Sequence, residues 1–355
     1  MTQIYNFCAG PAVLPQDVLL EAQQALLDFK GQGTSIVSIS HRSQAFAEIM
    51  HDAEQDLREL MNIPDHYRVF FVQGGATIQF SMVPMNLMRR HQRAEYVLSG
   101  FWSQLAAKDA AQYGKILHSV DQLDQLLAPS WPLAENLDYV HCTPNETIHG
   151  VEFNAFPDLG DVPLVGDISS TILSQSLDVS RFGLLYAGAQ KNIGPSGITL
   201  VIIREDLIGE PLPGTPRLLQ YQTYEKAKGL PNTPPVFAWY VCGLVFTWLK
   251  AQGGVSAMAE HNRRKAEALY HAIDDSGFYQ NRVPTALRSR MNVVFHLPTP
   301  DLDKHFVQQA TEQGLLGLGG HRNYGGIRAS LYNAMPYEGV AALIAFMQEF
   351  EQRYG

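Results

Sequence analysis

A chain of 355 residues exceeds one ordinary domain and favours two, with enough length to bury a large core. Apolar residues make up 46% and charged residues 17%, a balance that excludes a disordered or fibrous chain. The 26 Lys and Arg residues against 35 Asp and Glu residues give a net charge of -9, which argues against a general binder of nucleic acid or anionic membranes.

The first half of the chain predicts an α/β fold. A first helix begins near Pro15, whose fixed φ suits a first turn, and ends before Gly31. From residue 67 onward, apolar strands alternate with helices, which predicts a mostly parallel seven-stranded sheet covered on both faces. The predicted strands are residues 69–72, 95–98, 116–119, 139–142, 164–167, 184–186 and 199–203. The helices predicted between them are residues 77–89, kinked at Pro84, and residues 102–113.

The pattern changes after Pro234-Pro235 and an apolar helix at residues 236–249. The elements predicted beyond it are helix 256–275, strand 293–297, helix 301–313, strand 327–330 and a last helix from Pro336. The last helix has apolar residues at the spacing of one helical face. We therefore predict a large α/β domain of residues 15–255 and a smaller α+β domain formed by residues 1–14 and 256–355.

The cysteines and the apolar runs predict the compartment. Cys8, Cys142 and Cys242 are odd in number and far apart, which is typical of a reducing compartment rather than a disulfide framework. The N-terminal residues show no basic stretch followed by an apolar one, so no signal peptide is predicted. The apolar run at 236–249 is too short to span a bilayer and predicts a helix that is buried or lies at a subunit interface. A cytoplasmic protein is expected.

Three segments follow predicted strands at the sheet edge where ligands bind in open α/β folds. Gly74-Gly75, followed by Ala76 and Thr77, could bind a phosphate through backbone N–H groups, although an ordinary tight turn would look the same. Asp167 ends an apolar strand and could hold a cation or simply cap a turn. Lys191 lies in a segment of small residues, where it is either a nucleophilic amine or a surface lysine.

Together these three features are more specific than any one of them. They supply a phosphate site, an acid for a pyridine nitrogen and an amine for an aldehyde, which are the three groups by which proteins hold pyridoxal 5′-phosphate (PLP). The segments match neither of the glycine motifs of dinucleotide and P-loop sites, and no metal-ligand motif such as HExxH occurs.

Two His-Arg dipeptides, His41-Arg42 and His321-Arg322, suggest a site for anions, with Arg328 close behind the second. The arginine fork matches carboxylate and phosphate geometry, so two sets of such residues suggest a substrate with two anionic ends. Scattered surface salt bridges are the alternative.

The chain resembles the phosphoserine aminotransferases, class-V PLP enzymes of the aspartate-aminotransferase fold type. The resemblance extends from Asn6-Phe7 to Phe346-Met347 with no large gap. The matching segments are Ser40-His41-Arg42-Ser43, Gln73-Gly74-Gly75-Ala76, Asn145-Glu146-Thr147-Ile148, Asp167-Ile168-Ser169-Ser170, Tyr186-Ala187-Gly188-Ala189-Gln190-Lys191-Asn192, Asn232-Thr233-Pro234-Pro235, Gly320-His321-Arg322 and Arg328-Ala329-Ser330.

This resemblance implies a role for each matching residue. Lys191 would bond covalently to the cofactor, and Asp167 would pair with its pyridinium. The other cofactor contacts would be Trp102 on the ring, Thr147 on the phenolic oxygen, Ala76, Thr77 and Gln190 on the phosphate, and Asn232 and Thr233 from a partner subunit of a homodimer. The substrate contacts would be Arg328 on the α-carboxylate and His41, Arg42, His321 and Arg322 on the distal anion.

The implied reaction exchanges an amino group between glutamate and 3-phosphohydroxypyruvate, giving O-phospho-L-serine for serine biosynthesis. The phosphorylated threonine precursor of PLP itself is a second implied substrate. The chain departs from the family at Thr77, at Cys8-Ala9 and at Gln175-Ser176, where arginine, serine and Arg-Pro are common. The alternatives are another transaminase, such as one for alanine and glyoxylate, a cysteine desulfurase, a non-catalytic small-molecule binding protein and a metal-dependent hydrolase.

Overall fold

The computed structural model describes residues 3–355. Its strands are β1 (Tyr5–Asn6), β2 (Tyr67–Gln73), β3 (Arg93–Tyr96), β4 (Lys115–Leu117), β5 (Tyr139–Cys142), β6 (Asn145–Glu146), β7 (Val151–Glu152), β8 (Leu164–Asp167), β9 (Leu184–Gly188), β10 (Ile198–Arg204), β11 (Asn292–Phe295), β12 (Leu315–Leu316) and β13 (Ile327–Ser330). Its helices are α1 (Gln16–Leu27), α2 (Gln44–Met61), α3 (Gln79–Leu87), α4 (Phe101–Ala110), α5 (Tyr221–Lys226), α6 (Val236–Ala251), α7 (Gly254–Asp274), α8 (Pro300–Glu312) and α9 (Tyr337–Tyr354).

The large sheet has seven strands in the order β2-β10-β9-β8-β5-β3-β4. Only β10 runs antiparallel to its two neighbours, so the predicted mostly parallel α/β sheet is confirmed. Strands β5, β8 and β9 are buried along their whole length, as expected for strands covered on both faces. Each of the seven predicted strands occurs, although β3 begins and ends two residues earlier than predicted.

Helix α2 was not predicted, and its sequence does carry the signals. The Ser43 side chain accepts a hydrogen bond from Phe46 N at 3.3 Å, which caps the N-terminus. Asn62 ends the helix in the left-handed conformation, with φ of 51°. The buried residues of α2 follow helical spacing, and Phe46 packs edge-on against Trp239 of α6 with ring centroids 5.7 Å apart. The prediction overlooked this amphipathic stretch because polar residues separate its apolar positions.

Helix α6 forms as the apolar run predicted, and it packs against α1 and α2. Its buried residues include Trp239, Cys242 and Phe246, which belong to the apolar cluster on one face of the large sheet. Within residues 3–355, none of the helices is long and apolar enough to cross a membrane.

A second apolar cluster lies outside the large sheet. It joins Phe7 to side chains from α7, α8, α9 and the antiparallel pair β11–β13. Strand β1 pairs in parallel with β12, so the start of the chain is bound to this part of the molecule. Met258 and Leu287, however, pack in the cluster of the large sheet. The predicted domain boundaries at residues 14 and 255 stay a prediction.

Candidate active site

A pocket lies at the carboxyl ends of the parallel strands, where open α/β sheets bind ligands. The segments after β2, β5, β8 and β9 each contribute to it, together with the first turn of α4. It is lined by Gly75, Ala76, Thr77, Phe80, Trp102, Thr143, Asn145, Thr147, Asp167, Ser169, Ser170, Gln190 and Lys191. The structure therefore brings together Ala76, Thr77, Trp102, Thr147, Asp167, Gln190 and Lys191, although these residues are far apart in the chain.

Lys191 lies just after β9, and its Nζ donates a hydrogen bond to Thr147 Oγ1 at 2.9 Å. Burial lowers the pKa of the lysine amine to about 8, and the Asp167 carboxylate opposes this shift. The Arg328 guanidinium lowers the same pKa further. Because a lysine acts as a nucleophile only when neutral, this environment makes the amine available near physiological pH.

Asp167 ends β8 and is only 6% exposed. Its Oδ1 accepts hydrogen bonds from Ser169 N at 3.0 Å and from Ser169 Oγ at 2.6 Å. Ser169 Oγ in turn accepts from Gly188 N at 3.0 Å, so the serine fixes the carboxylate between two strands. Burial raises the pKa of Asp167, while the Lys191 charge and the Ser169 bonds lower it. The buried acid is thus held in one orientation and suits a cationic N–H partner.

Four buried polar atoms of the pocket have no hydrogen-bond partner within residues 3–355: Trp102 Nε1, Thr143 Oγ1, Asn145 Oδ1 and Gln190 Oε1. Buried polar atoms in native proteins are nearly always paired, so these atoms indicate a polar ligand. A Cβ at Gly188 would lie 2.7 Å from Gln190 Oε1 and 3.3 Å from Ala76 Cβ. A side chain at position 188 would therefore displace the Gln190 amide from its place in the pocket wall. The unpaired set contains donors (the Trp102 indole and the Thr143 hydroxyl) and acceptors (the two amide oxygens), which fits a polar aromatic cofactor of the kind expected from the sequence.

Arg328 lies on β13, with its Nε buried and unpaired within the described part of the chain. Burial lowers the pKa of its guanidinium, and the Tyr332 and Cys8 side chains lie close enough to oppose this. His321 packs its ring against Phe101 at 5.4 Å between centroids. Burial also lowers the pKa of His321, with the charge of Arg328 acting in the same direction. These residues place a cationic group beside the pocket.

The remaining predicted residues do not line this pocket. Asn232 Oδ1 accepts a hydrogen bond from Gln73 Nε2 at 3.1 Å, and the Thr233 carbonyl accepts from the same nitrogen. His41 and Arg42 lie in the loop before α2, and Arg322 is exposed in the loop before β13. Their roles stay predictions.

The sequence reasoning gave no role to Thr143, Asn145, Ser169 or Ser170, all of which line the pocket. Each follows a buried strand closely, and that position was the available signal. Asn145 Nδ2 donates to Ser170 Oγ at 2.7 Å and to Asn292 Oδ1 at 2.8 Å, which links the pocket wall to β11.

The aminotransferase class-V family model matches residues 4–343 of the chain. A phosphoserine aminotransferase of Hahella chejuensis is 53% identical over 354 residues, which is 98% of both chains. The solved phosphoserine aminotransferase from Bacillus circulans superposes with a TM-score of 0.96 at 44% identity and full coverage of both chains. A PLP-bound phosphoserine aminotransferase from Trichomonas vaginalis gives a TM-score of 0.93 at 36% identity, covering 98% of this chain and 100% of that one.

The chain therefore belongs to the class-V aminotransferases and, within that family, to the phosphoserine aminotransferases.

Proposed function

We propose that the protein is a PLP-dependent transaminase that exchanges an amino group between glutamate and 3-phosphohydroxypyruvate, giving 2-oxoglutarate and O-phospho-L-serine. The observation that carries this proposal is the pairing of Lys191 with Thr147 at 2.9 Å in a pocket that also holds a buried Asp167. A lysine amine of lowered pKa and a fixed carboxylate are the two groups that PLP chemistry requires of a protein.

The pocket residues would hold PLP by its distinct ends. Ala76, Thr77 and Gln190 would bind the phosphate, Trp102 would stack on the ring, and Thr147 would contact the phenolic oxygen. When bound, PLP supplies an aldehyde that takes up the amino group and a conjugated ring that accepts the electron pair of the substrate Cα–H bond.

Lys191 has two tasks in this mechanism. Its neutral amine would hold the cofactor covalently. Its Nζ would also move the proton of the substrate Cα, acting as general base and then as general acid. The lowered pKa suits both tasks, since a proton-transfer group is most effective near the operating pH.

Asp167 would stabilise positive charge on the cofactor ring. Its carboxylate would hold the proton on the pyridine nitrogen, which favours the spread of negative charge from Cα. The two bonds from Ser169 keep the carboxylate oriented without any movement during reaction. Electrostatic stabilisation of this preorganised kind is commonly the largest contribution to catalysis.

Substrate recognition would depend on the basic residues around the pocket. Arg328, with its buried unpaired Nε, would bind the α-carboxylate. His321 and Arg322, with His41 and Arg42, would bind the distal phosphate or the γ-carboxylate of glutamate. Because Asn232 and Thr233 do not line the pocket of their own chain, we propose that they reach the pocket of a partner in a homodimer. The phosphorylated threonine precursor of PLP fits the same requirements as a second substrate.

The environments of Cys142 and Cys242 oppose a desulfurase role for these two residues, whereas Cys8 is only half-buried. Cys142 and Cys242 are buried, and burial raises the pKa of both thiols, that of Cys242 to about 12. A sulfur-transfer nucleophile needs an accessible thiolate. Within residues 3–355, no cluster of His, Cys, Asp and Glu could hold a metal ion, so the hydrolase alternative finds no ligand set in the part described.

The absorbance spectrum of the purified protein before and after addition of O-phospho-L-serine tests the proposal. We expect a yellow band from the lysine-bound cofactor that converts to the band of pyridoxamine phosphate. L-Alanine and L-cysteine at the same concentration serve as controls. A yellow band that responds to alanine but not to phosphoserine would refute the substrate class. No band after supply of PLP would refute the transaminase and favour the binding protein.

A further inference from the structure

The first turn of α4 depends on a side chain from outside the helix. Its N-cap is Gly100, which has no side chain to accept the free backbone N–H groups of the first turn. Glu146, the last residue of β6, supplies the acceptors instead. Trp102 N donates to Glu146 Oε2 at 2.9 Å and Ser103 N donates to Glu146 Oε1 at 2.8 Å.

Glu146 is completely buried, although carboxylates are seldom buried without a partner. Burial raises its pKa, and the bonds from the backbone of Ser103 and Trp102 lower it. Bonds from backbone N–H groups to an ionised acceptor are among the strong hydrogen bonds, and a negative charge is further stabilised at a helix N-terminus. The carboxylate and the start of α4 therefore stabilise each other.

The space for this carboxylate depends on Gly100. A Cβ at that position would lie 2.7 Å from both Cγ and Cδ of Glu146 and 2.7 Å from Nδ1 of His149. Phe101 N also faces His149 Nδ1, at 3.4 Å. The missing side chain at the N-cap thus lets an outside residue take over the capping of the helix.

The turn that follows β6 begins at Thr147 and faces the pocket. Thr147, next to Glu146, accepts the bond from Lys191, while Trp102 and Thr147 both line the pocket. Glu146 itself is not among the lining residues found in residues 3–355. A carboxylate that binds the backbone of Trp102 without lining the pocket can therefore act on a ligand there through the Trp102 ring.

We propose that Glu146 is a positioning residue that fixes the Trp102 ring against the cofactor. The inference rests on the proposed function, in which Trp102 stacks on PLP. Loss of the carboxylate would release the first turn of α4 and with it the ring. The alternative is a purely electrostatic role, because the Glu146 charge raises the pKa of Lys191. The two roles differ in whether Trp102 is needed for the effect.

A double-mutant cycle on the dissociation constant of PLP separates these roles. The proteins are the parent, Glu146→Gln, Trp102→Ala and the double variant, each stripped of cofactor and titrated with PLP. Because stacking on a displaced ring is lost, we expect Glu146→Gln to weaken PLP binding by about tenfold. In the Trp102→Ala background the same change should alter binding by less than about twofold.

Near-UV circular dichroism of the cofactor-free proteins gives a second readout. The Trp102 signal is the difference between a protein and its Trp102→Phe counterpart. We expect this signal to shrink in the Glu146→Gln background because the ring is no longer held in one orientation. A full signal in that background would overturn the inference.

Two further variants test whether the loss of PLP affinity is specific to the contact between Glu146 and α4. Gly100→Ala places a Cβ against the carboxylate and should reproduce the loss of PLP affinity with Glu146 intact. This variant also tests the inference if Glu146→Gln does not fold. Glu152→Gln is the matched control, since Glu152 is a buried glutamate that accepts a hydrogen bond from Arg290 N at 2.8 Å and is not among the residues found to line the pocket. Its PLP affinity should stay within about twofold of the parent.

Each outcome of the cycle decides one point. An equal loss of PLP affinity with and without Trp102 would overturn the positioning role and support the electrostatic one. No loss on Glu146→Gln, with a clear loss on Trp102→Ala, would overturn the inference and leave the proposed function intact. No loss on Trp102→Ala would overturn the stacking role of Trp102 and the inference together.

Discussion

Lys191 and Lys265 are both lysines whose amines are shielded from water, and their surroundings differ. Lys191 Nζ has one hydrogen bond, to Thr147, and lies in an open pocket with Asp167. Lys265, on α7, is completely buried, and its Nζ donates to the carbonyls of Leu331, Tyr332 and Met335 at 2.8, 2.9 and 3.0 Å. The three carbonyls use all three N–H bonds of a lysine ammonium.

Burial lowers the pKa of both amines, to about 8 for Lys191 and about 7 for Lys265. A lowered pKa is therefore no mark of a catalytic lysine by itself. What distinguishes Lys191 is its access to a ligand and its unused hydrogen-bonding capacity. Lys265 instead anchors the turn between β13 and α9. In that turn, Asn333 N donates a hydrogen bond at 3.0 Å to Oδ1 of Asn192, the residue that follows Lys191 in the chain.

The largest expected effect is on Lys191 itself. Lys191→Ala should lower turnover by about 10⁴-fold or more while the fold survives, because within residues 3–355 no other lysine lines the pocket to bond to the cofactor or move the Cα proton. Steady-state rates and a borohydride-reduced mass spectrum measure the two losses. Lys265→Met is the control, and it should keep the covalently bound cofactor. Comparable turnover in Lys191→Ala and the parent would contradict the assignment.

The next largest expected effect concerns Asp167, whose carboxylate lies beside Lys191. The other lysine of the comparison, Lys265, has no such neighbour in the part of the chain that the structure describes. Asp167→Ala should lower kcat by about 10³-fold and weaken PLP binding far less, since the carboxylate acts mainly on charge that develops during reaction. Parallel measurement of kcat and the PLP dissociation constant checks this. Asp178→Ala, at an exposed turn, is the control and should leave both unchanged. An unchanged kcat in Asp167→Ala would remove the proposed role.

A third prediction concerns the structural lysine. Lys265→Met removes a hydrogen-bond donor from three buried carbonyls, of which that of Tyr332 keeps a second donor, Met335 N at 2.9 Å. The change should lower the free energy of unfolding by about 3 kcal/mol. Urea unfolding of the cofactor-free protein measures this loss. Lys304→Met is the control, because Lys304 is a highly exposed lysine paired only with Asp301. Equal stability of the two variants would show that the carbonyl contacts contribute nothing.

The smallest effect is on the pH dependence of cofactor capture. The neutral amine is the nucleophile, so a pKa of about 8 makes its neutral fraction increase as pH rises through 8. The rate constant for PLP binding to the cofactor-free protein should therefore rise about tenfold from pH 7 to pH 9. Stopped-flow absorbance measures it. A rate that still rises steeply above pH 10 would mean that the pocket does not lower the pKa.

The sequence predicted what depends on short-range pattern. Buried parallel strands are continuous apolar runs, so the seven strands of the large sheet could be recognised. Asp167 and Lys191 each follow such a run directly, and the topology brings the ends of those strands together. Helix α2 also has a local signal, since its Ser43 cap and the spacing of its apolar residues are both visible in the sequence.

Other features depend on contacts between distant segments and leave no local signal. Nothing in the sequence around Glu146 indicates its role, because that role depends on the contact with the start of α4. Lys265 lies in a polar helix. Its three carbonyl acceptors are more than sixty residues away in the chain, so its neighbours in the sequence do not predict them. The cofactor phosphate site was predicted from Gly74-Gly75. Gly188, which leaves space for the Gln190 side chain in the same pocket, lies on a different strand and its role was not predicted.

The position of β1 has a consequence for the order of events during synthesis. Tyr5–Asn6 are synthesised well before their partners Leu315–Leu316, and every strand of the large sheet lies between them in the chain. The Ala9 carbonyl likewise waits for the Tyr332 hydroxyl, which donates a hydrogen bond to it at 2.9 Å. Until translation has passed Leu316 and Tyr332, neither contact can form. The segment around β1 therefore stays without these partners while the whole large sheet is synthesised.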